Sequence, residues 1–348
     1  MFYGLPTALV TLAGFCYPAG ATPLIQRAST SGTQPSAGDV TVCKAPMTGC
    51  DFSTISAAVA ALPSAAGSIF VYPGTYTEQV VIKRNFPTTI QGYTVDRTDY
   101  TNNQVTITND ISATAAGSND LSGTVRAESD DITLYNLNIE NTFGHFASGC
   151  QCQAMALSAR GNRGGFYGVN LTGYQDTLLA DAGAQVYAHS RIAGAVDFIF
   201  GQSAPAYFYK DSIESTSPGC ITAPGGETAD AGQIYVFEQC QIIPAASATS
   251  NTTGAVFLGR PWKAFGKSIF RDSFLDSHLN PAGWKEWSDA TPNTADSVLA
   301  EFNNTGPGAS VANRASFTKI LTSDEAEQYT IQILGSDLDD WVDGTYLT

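Results

Sequence analysis

The sequence predicts an all-β chain wound as a parallel β-helix, a solenoid of short strands, with a short N-terminal capping helix. Three observations predict it. One template of two apolar anchors recurs six times between Asp131 and about Ser277. The runs that carry it ("DITLYNLNIEN", "QIYVFEQCQII", "KSIFRDSFLDS") are short, rich in β-branched and aromatic residues, and separated by Gly, Asn, Asp and Ser. A single stretch with helical spacing precedes them.

Residues 1–21 carry no charged side chain and end in Ala19-Gly20-Ala21, a small-residue cleavage pattern. They are read as a secretion signal, with only the α-amino group standing in for a basic n-region. No other uncharged apolar run approaches ~20 residues, so no membrane span is expected. Residues 22–348 contain no linker and are read as one domain. Within "DFSTISAAVAALPSAAG", Phe52, Ile55, Val59 and Leu62 share one helical face, with Ser53 as N-cap and Pro63 as stop. Such a helix can cover the apolar cross-section that a solenoid exposes at its end.

In the repeat, an apolar residue is followed four places on by a polar one and five places on by another apolar one. The copies are Leu134/Ile139, Phe166/Leu171, Tyr187/Ile192, Phe208/Ile213, Phe237/Ile242 and Ile269/Phe274. Successive second anchors lie 32, 21, 21, 29 and 32 residues apart, a period near 21 with insertions. A β-sandwich with strands every ~8–12 residues would not return the same template at 21. The closing "SDEAEQYTIQILGSDLDDWVDGTYLT" is acidic with an apolar stripe, and is expected along the outside or over the last coil.

Six cysteines remain after Cys16 is set aside with the signal: Cys43, Cys50, Cys150, Cys152, Cys220 and Cys240. An even count in a secreted chain points to disulfides. Cys43–Cys50 and Cys220–Cys240 are the first pairs expected, and Cys150-Gln-Cys152 is close for a direct bridge. Zinc is disfavoured by three His and no repeated Cys-x-x-Cys. Asn170, Asn251 and Asn303 begin N-glycosylation sequons, Asn170 within a strand-like run. A net charge of −15, from 32 acidic and 17 basic residues, argues against nucleic acid and anionic membranes as partners.

Asp176 and Asp197 lie five residues after Leu171 and Ile192, 21 residues apart, and so occupy one place in adjacent coils. Strands are ~4.8 Å apart, which stacks the two carboxyls on one outer face. Gln153, Gln175 and Asp197 follow at intervals of 22, which adds the two amides to the patch. Adjacent Gln175 and Asp176 would point to opposite faces of a regular strand, so a strand end or bend is expected there. Two close carboxyls with apolar flanks separate into one protonated and one ionised group, an acid beside a nucleophile or base. The amides suit a developing oxyanion, Arg260 in "FLGRPWKAFG" suits a carboxylate clamp, and Trp262 offers a plate for a sugar ring. Taken singly, each residue fits a turn, a ladder or packing; together at one repeat position they make a site. Carboxyls ~5 Å apart also describe a retaining glycosidase, and the glutamines favour acyl transfer.

At "GTYTE" (74–78), "QAMAL" (153–157), "GYQDTL" (173–178), "VDFIFG" (196–201) and "LGRPW" (258–262) the chain resembles the pectin methylesterases, in that family's order. The resemblance implies a right-handed parallel β-helix that hydrolyses galacturonosyl methyl esters of pectin through an acyl-enzyme. It implies Asp197 as nucleophile, Asp176 as acid and then base, Gln153 and Gln175 as oxyanion donors, and Arg260 as the partner of Asp197. Trp262, Gln153 and Thr124 (in "LSGTV") match substrate contacts. No cofactor or metal is implied, and the partner is methylated homogalacturonan, met by a secreted monomer. The disulfide pattern does not carry over, because plant-type members often have Cys just before the "DFIFG" coil, where this chain reads "YAHSRIAGAV". Met155 stands for the family's usual Val. A compact fungal-type enzyme is expected, without the N-terminal inhibitory region of many plant members.

Rival readings are a polygalacturonase or lyase on the same fold, and a non-catalytic β-helix. A lyase wants several Ca²⁺-binding carboxylates and a basic catalytic residue, which the "YQDTL" coil lacks. A non-catalytic solenoid gives no reason for paired Asp plus Arg. Each turnover adds a carboxylate to the polymer, which a chain at −15 holds poorly. Scattered de-esterification is therefore expected from NMR of product pectin made at low salt, and long contiguous blocks would contradict it.

Overall fold

The computed structural model describes residues 32–45, 47–144, 152–248 and 250–348; the signal expected over 1–21 and Cys150 lie outside the described residues. Three parallel sheets, of eleven, eight and seven strands, form the walls of a right-handed β-helix. Each coil visits them in that order. The coil of Gly164–Tyr167, Asn170–Thr172 and Leu178–Ala180 is followed by Gln185–Ala188, Arg191–Gly194 and Ile199–Gly201. Every strand pairing is parallel and in register with the coil before and after it.

The repeat anchors are the interior. Phe166, Tyr187, Phe208, Phe237 and Phe270 stack almost face to face, with centroids 4.7, 4.8, 4.4 and 4.3 Å apart. These distances match the ~4.8 Å between strands, so the rings stack because the backbones do. Ile139, Leu171, Ile192, Ile213, Ile242 and Leu275 make the second column, all fully buried. The last copy is therefore Phe270/Leu275, one residue beyond the expected Ile269/Phe274. Ile269 pairs with Val236 and faces outward, and Phe274 takes the polar position opposite Gln241. Both choices are apolar in sequence, so only contact with the preceding coil selects between them.

The corner between the eleven- and eight-stranded sheets is turned by one left-handed residue per coil: Asn136, Gly168, His189, Lys210, Gln239, Asp272 and Asn303, with φ from 48 to 58°. A non-glycine residue there costs ~1–2 kcal/mol, and the adjoining hydrogen bonds offset it. At four of these corners the next residue points inward and caps the backbone of the coil before. Ser190 Oγ accepts from Val169 N at 3.1 Å, Asp211 Oδ1 from Ser190 N at 2.7 Å, Ser273 Oγ from Cys240 N at 3.0 Å, and Asn304 Oδ1 from Ser273 N at 3.0 Å.

The capping helix is Ile55–Ala61, and it buries Ile55, Ala58 and Val59 against the first coils. Its N-cap is Thr54, whose side chain accepts from Ala57 N, in place of the expected Ser53. Phe52 precedes the helix and bridges to Val42, leaving Thr54 the extended residue at the helix entry. Glu78 of "GTYTE" accepts from Ile55 N and Ser56 N, each at 2.9 Å, and so holds the free helix amides. The C-terminal segment lies along the outside. Leu334, Trp341 and Tyr346 cover the outer face of the eleven-stranded sheet at Tyr135, Tyr167 and Tyr207.

Cys43–Cys50 is a disulfide, with Cα atoms 5.9 Å apart, and Cys152 is also disulfide-bonded. The expected Cys220–Cys240 pair does not form, and both are buried free thiols. Cys220 lies in the seven-stranded sheet, whereas Cys240 sits at the corner between the other two sheets, so different walls hold them. Asn170 donates to Asn138 Oδ1 and accepts from Arg191, which occupies its sequon amide; Asn251 is exposed, and Asn303 is exposed with its amide donating to Asp272 Oδ1 at 2.7 Å.

Asp211 is fully buried and its Oδ2 has no hydrogen-bond partner among the described residues. Burial raises its carboxyl well above the usual range, against the lowering pull of the Ser190 and Tyr209 amides. The folded chain therefore keeps a proton that the unfolded chain loses above about pH 4, and stability from this group falls as pH rises. Asp211→Asn is expected to raise the melting temperature at pH 8 and to change it little at pH 3.5, read by thermal denaturation across pH.

Candidate active site

Asp176 and Asp197 turn the corner between the eight- and seven-stranded sheets, each in the left-handed region, with φ of 63 and 49°. Aspartate tolerates that conformation better than most residues. Asp176 N donates to Val196 O at 3.1 Å and Asp197 N to Cys220 O at 2.8 Å, which locks each turn onto the next coil. Leu178 and Ile199, two residues beyond each aspartate, pair directly. The 21-residue interval thus places the two aspartates in adjacent coils, with backbones about 4.8 Å apart. The bend expected at Gln175–Asp176 is this left-handed turn. One detail of the expected stacking changes: Gln175 pairs with Gln153 on one side and Val196 on the other, so the 22-residue step does not put it opposite Asp197.

Arg260 follows the strand Val256–Gly259, and its backbone N donates to Thr222 O at 3.0 Å. Its guanidinium grips Asp197 through two nitrogens, Nε to Oδ1 at 3.0 Å and Nη2 to Oδ2 at 2.7 Å. The other face of the guanidinium lies over Trp287, 4.3 Å from the ring centroid. Asp176 has no such cation, and its Oδ2 accepts from Asn119 Nδ2 at 3.1 Å. The side-chain amides of Gln153 and Gln175 are half-buried and make no hydrogen bond among the described residues.

Asp176 and Asp197 are 6 and 4% exposed, so desolvation dominates both. Burial and then the Asp197 charge push the Asp176 carboxyl well above its ordinary range. Burial also raises Asp197, but the Arg260 hydrogen bonds and charge pull it back. The two environments therefore differ: the upward push of burial is opposed by a hydrogen-bonded guanidinium at Asp197 and not at Asp176. Beside them Met155, Leu179, Phe200 and Ala223 form an apolar floor, with Trp262 and Trp287 half-buried against it. Trp262 meets Phe200 edge-on at 6.2 Å and lies against Gly225, where a Cβ would come within 2.7 Å of its ring.

The structure therefore brings together Asp176, Asp197, Gln153, Gln175, Arg260 and Trp262. Thr124 lies on the neighbouring coil, its backbone N donating to Met155 O at 3.0 Å, but it is fully buried and its hydroxyl donates to Glu140 O at 3.0 Å. Sequence reasoning missed Asn119 and Trp287, which lie outside the repeat and carry no periodic signal. A cavity of about 690 Å³ lies elsewhere, between Leu62, Tyr135, Arg163 and Trp341. Among the described residues no three His, Cys, Asp or Glu side chains gather as metal ligands.

The Pectinesterase family profile matches residues 39–337. The chain belongs to the pectinesterase family. A pectinesterase of Aspergillus niger is 41% identical over 323 residues, covering 90% of this chain and 93% of the relative. A probable pectinesterase A of Aspergillus oryzae is 39% identical, covering 97 and 99%. The crystal structure of an Aspergillus niger pectin methylesterase superposes with a TM-score of 0.81 at 36% identity, over 91% of this chain and all of that one. The carrot pectin methylesterase superposes with a TM-score of 0.75 at 26% identity, over 90 and 96%. This pectinesterase is thus a carboxylic ester hydrolase that demethylates pectin.

Removing the guanidinium would strand a buried carboxylate. Arg260→Ala is expected to cost about 2–3 kcal/mol at pH 7, below the usual figure for a fully buried pair because Arg260 is partly exposed. Urea unfolding measures this, and Asp197→Ala added to Arg260→Ala should recover part of the loss.

Proposed function

We propose that this pectinesterase works through a covalent acyl-enzyme on Asp197, with Asp176 as the proton carrier. The supporting observation is the asymmetry of the pair: a bidentate guanidinium holds Asp197, while the buried Asp176 is hydrogen-bonded by the neutral amide of Asn119 and feels Arg260 through space alone. Ionised Asp197 attacks the galacturonosyl ester carbonyl. The charge that develops on the carbonyl oxygen meets the amides of Gln153 and Gln175, which have no other partner among the described residues. Asp176 gives its proton to the departing methoxy oxygen and methanol leaves, with the acyl group now an anhydride on Asp197. Asp176, now a carboxylate, takes a proton from water as the water attacks the galacturonyl carbonyl. Asp197 departs as carboxylate and the product acid releases its proton to solvent.

Trp262 supplies the plate for a sugar ring, with the apolar floor behind it. Thr124 stays outside this scheme, its hydroxyl being bonded to Glu140 O. The substrate is methylated homogalacturonan; two solved pectin methylesterases at 25 and 26% identity hold hexasaccharides. Secretion of a monomer, with glycans at Asn251 and Asn303, fits the Cys43–Cys50 bridge, since disulfides persist in oxidising compartments. The acidic charge leaves nucleic acid and membranes aside.

Highly methylated pectin, without added metal, should yield methanol but neither new reducing ends nor unsaturated products, and Asp197→Ala should abolish the methanol. The acyl-enzyme is tested with hydroxylamine as competing nucleophile. Methyl and ethyl esters of one oligogalacturonate should partition between acid and hydroxamate in the same ratio, and unequal ratios would show direct attack by water. Activity should rise with pH as Asp197 ionises and fall as Asp176 loses its proton. Burial displaces both limbs upward from the ordinary carboxylate value of about 4.

A further inference from the structure

The two carboxyl oxygens of Asp176 have different surroundings. Oδ2 accepts from Asn119 Nδ2 at 3.1 Å, and Oδ1 has no hydrogen-bond partner among the described residues. An amide NH2 donates and does not accept. The oxygen that faces it is therefore the unprotonated one, and the proton of neutral Asp176 belongs on Oδ1. That is the oxygen left open to an incoming substrate.

Asn119 is placed for this contact and not for its own turn. It opens the short 3-10 turn Asp120–Ser122, a position where asparagine usually folds back to cap the amides that follow. Here its side chain makes no cap and reaches Asp176, 57 residues further along. The turn is pinned on both sides of it. Ser122 Oγ donates to Asn119 O at 2.7 Å, and Asp120 accepts from Ser158 Oγ and Arg126 Nη2, each at 2.7 Å. Ser158 lies on Leu157–Ala159, between Val125–Ala127, which carries Arg126, and Leu178–Ala180, which Asp176 precedes. Three neighbouring parallel strands thus fix donor and acceptor relative to one another.

The charges acting on Asp176 come from other coils. Burial and then Asp197 push its carboxyl upward, and Arg260 pulls it down. Asp120, next to Asn119 in sequence, is paired with Arg126 and lies 3.6 Å from Arg160. Asn119 itself is neutral, so its bond to Oδ2 strengthens as Asp176 becomes an anion and weakens as it is reprotonated.

We propose that Asn119 is a positioning residue for demethylation, which fixes the proton of Asp176 on Oδ1 and holds the carboxylate that remains once the proton has gone. This rests on the reading of Asp176 as proton carrier. Oδ1 gives its proton to the methoxy oxygen as methanol departs, and takes one back from the water that attacks the acyl group. Oδ2 stays with Asn119 throughout, and Asn119 exchanges no proton.

The test follows methanol release from methylated pectin across pH in wild type, Asn119→Ala and Asn119→Leu. Leucine keeps the bulk of asparagine without its donor. Leu121→Ala is the control, an exposed side chain in the same turn. In both Asn119 variants kcat should fall about tenfold with KM unchanged, as for loss of a hydrogen bond to a charged group. Their alkaline limb should move to higher pH, because the carboxylate form has lost its donor, while the acid limb set by Asp197 stays. Leu121→Ala should keep the wild-type limbs. An unmoved alkaline limb in both Asn119 variants, a rise in KM alone, or an equal shift in Leu121→Ala would overturn the proposal. Methanol release at the wild-type rate by Asp176→Asn would instead overturn the reading of Asp176 as proton carrier, and its absence from wild type the esterase reading.

Discussion

Parallel pairing at one strand spacing is the constraint on which the rest of this molecule depends. It sets the distance between the interior rings at a value where flat faces touch. It also makes every position in a coil the neighbour of the same position one coil away. A residue is therefore judged by its column. Phe166, Tyr187, Phe208, Phe237 and Phe270 are core because the rings on either side are core. A polar residue such as Asp211 is tolerated inside because the coil before presents an unpaired amide at that height.

The same constraint builds the site. Two aspartates a strand spacing apart repel as anions, and a solenoid cannot relax that distance without losing the coil. The conflict is eased electrostatically: Arg260, delivered by a later coil, takes one carboxylate, and burial pushes the pKa of the other upward. The left-handed turns that put both side chains on the outer surface cost backbone strain, and the corner hydrogen bonds to Val196 and Cys220 hold them there. Strain and charge repulsion thus sit at one corner, supported by coils whose other walls are ordinary core.

How far each feature was legible follows from whether it belongs to a column. The period, the stacking of Asp176 on Asp197, and the membership of Gln153 and Gln175 could be read because repetition is written into spacing. Where two adjacent residues were chemically alike, spacing could not choose: Ile269 or Phe270, Phe274 or Leu275, Ser53 or Thr54. Features outside the columns carried no signal at all. Asn119 and Trp287 reach the site from irregular segments, and Cys220 and Cys240, both in the chain's even cysteine count, are held on different walls.

By itself, then, the amino-acid sequence determined the solenoid, the coil length and which carboxylates would meet, because local pattern and period are properties of the chain alone. Tertiary structure decided the rest. It chose which of two neighbouring apolar residues faces inward, by contact with a ring in the previous coil. It decided that Thr124 is buried rather than presented, and that Gln175 aligns with Val196 rather than Asp197. Above all it decided which aspartate is paired with a cation, because that depends on where a guanidinium 63 residues further along the chain comes to rest.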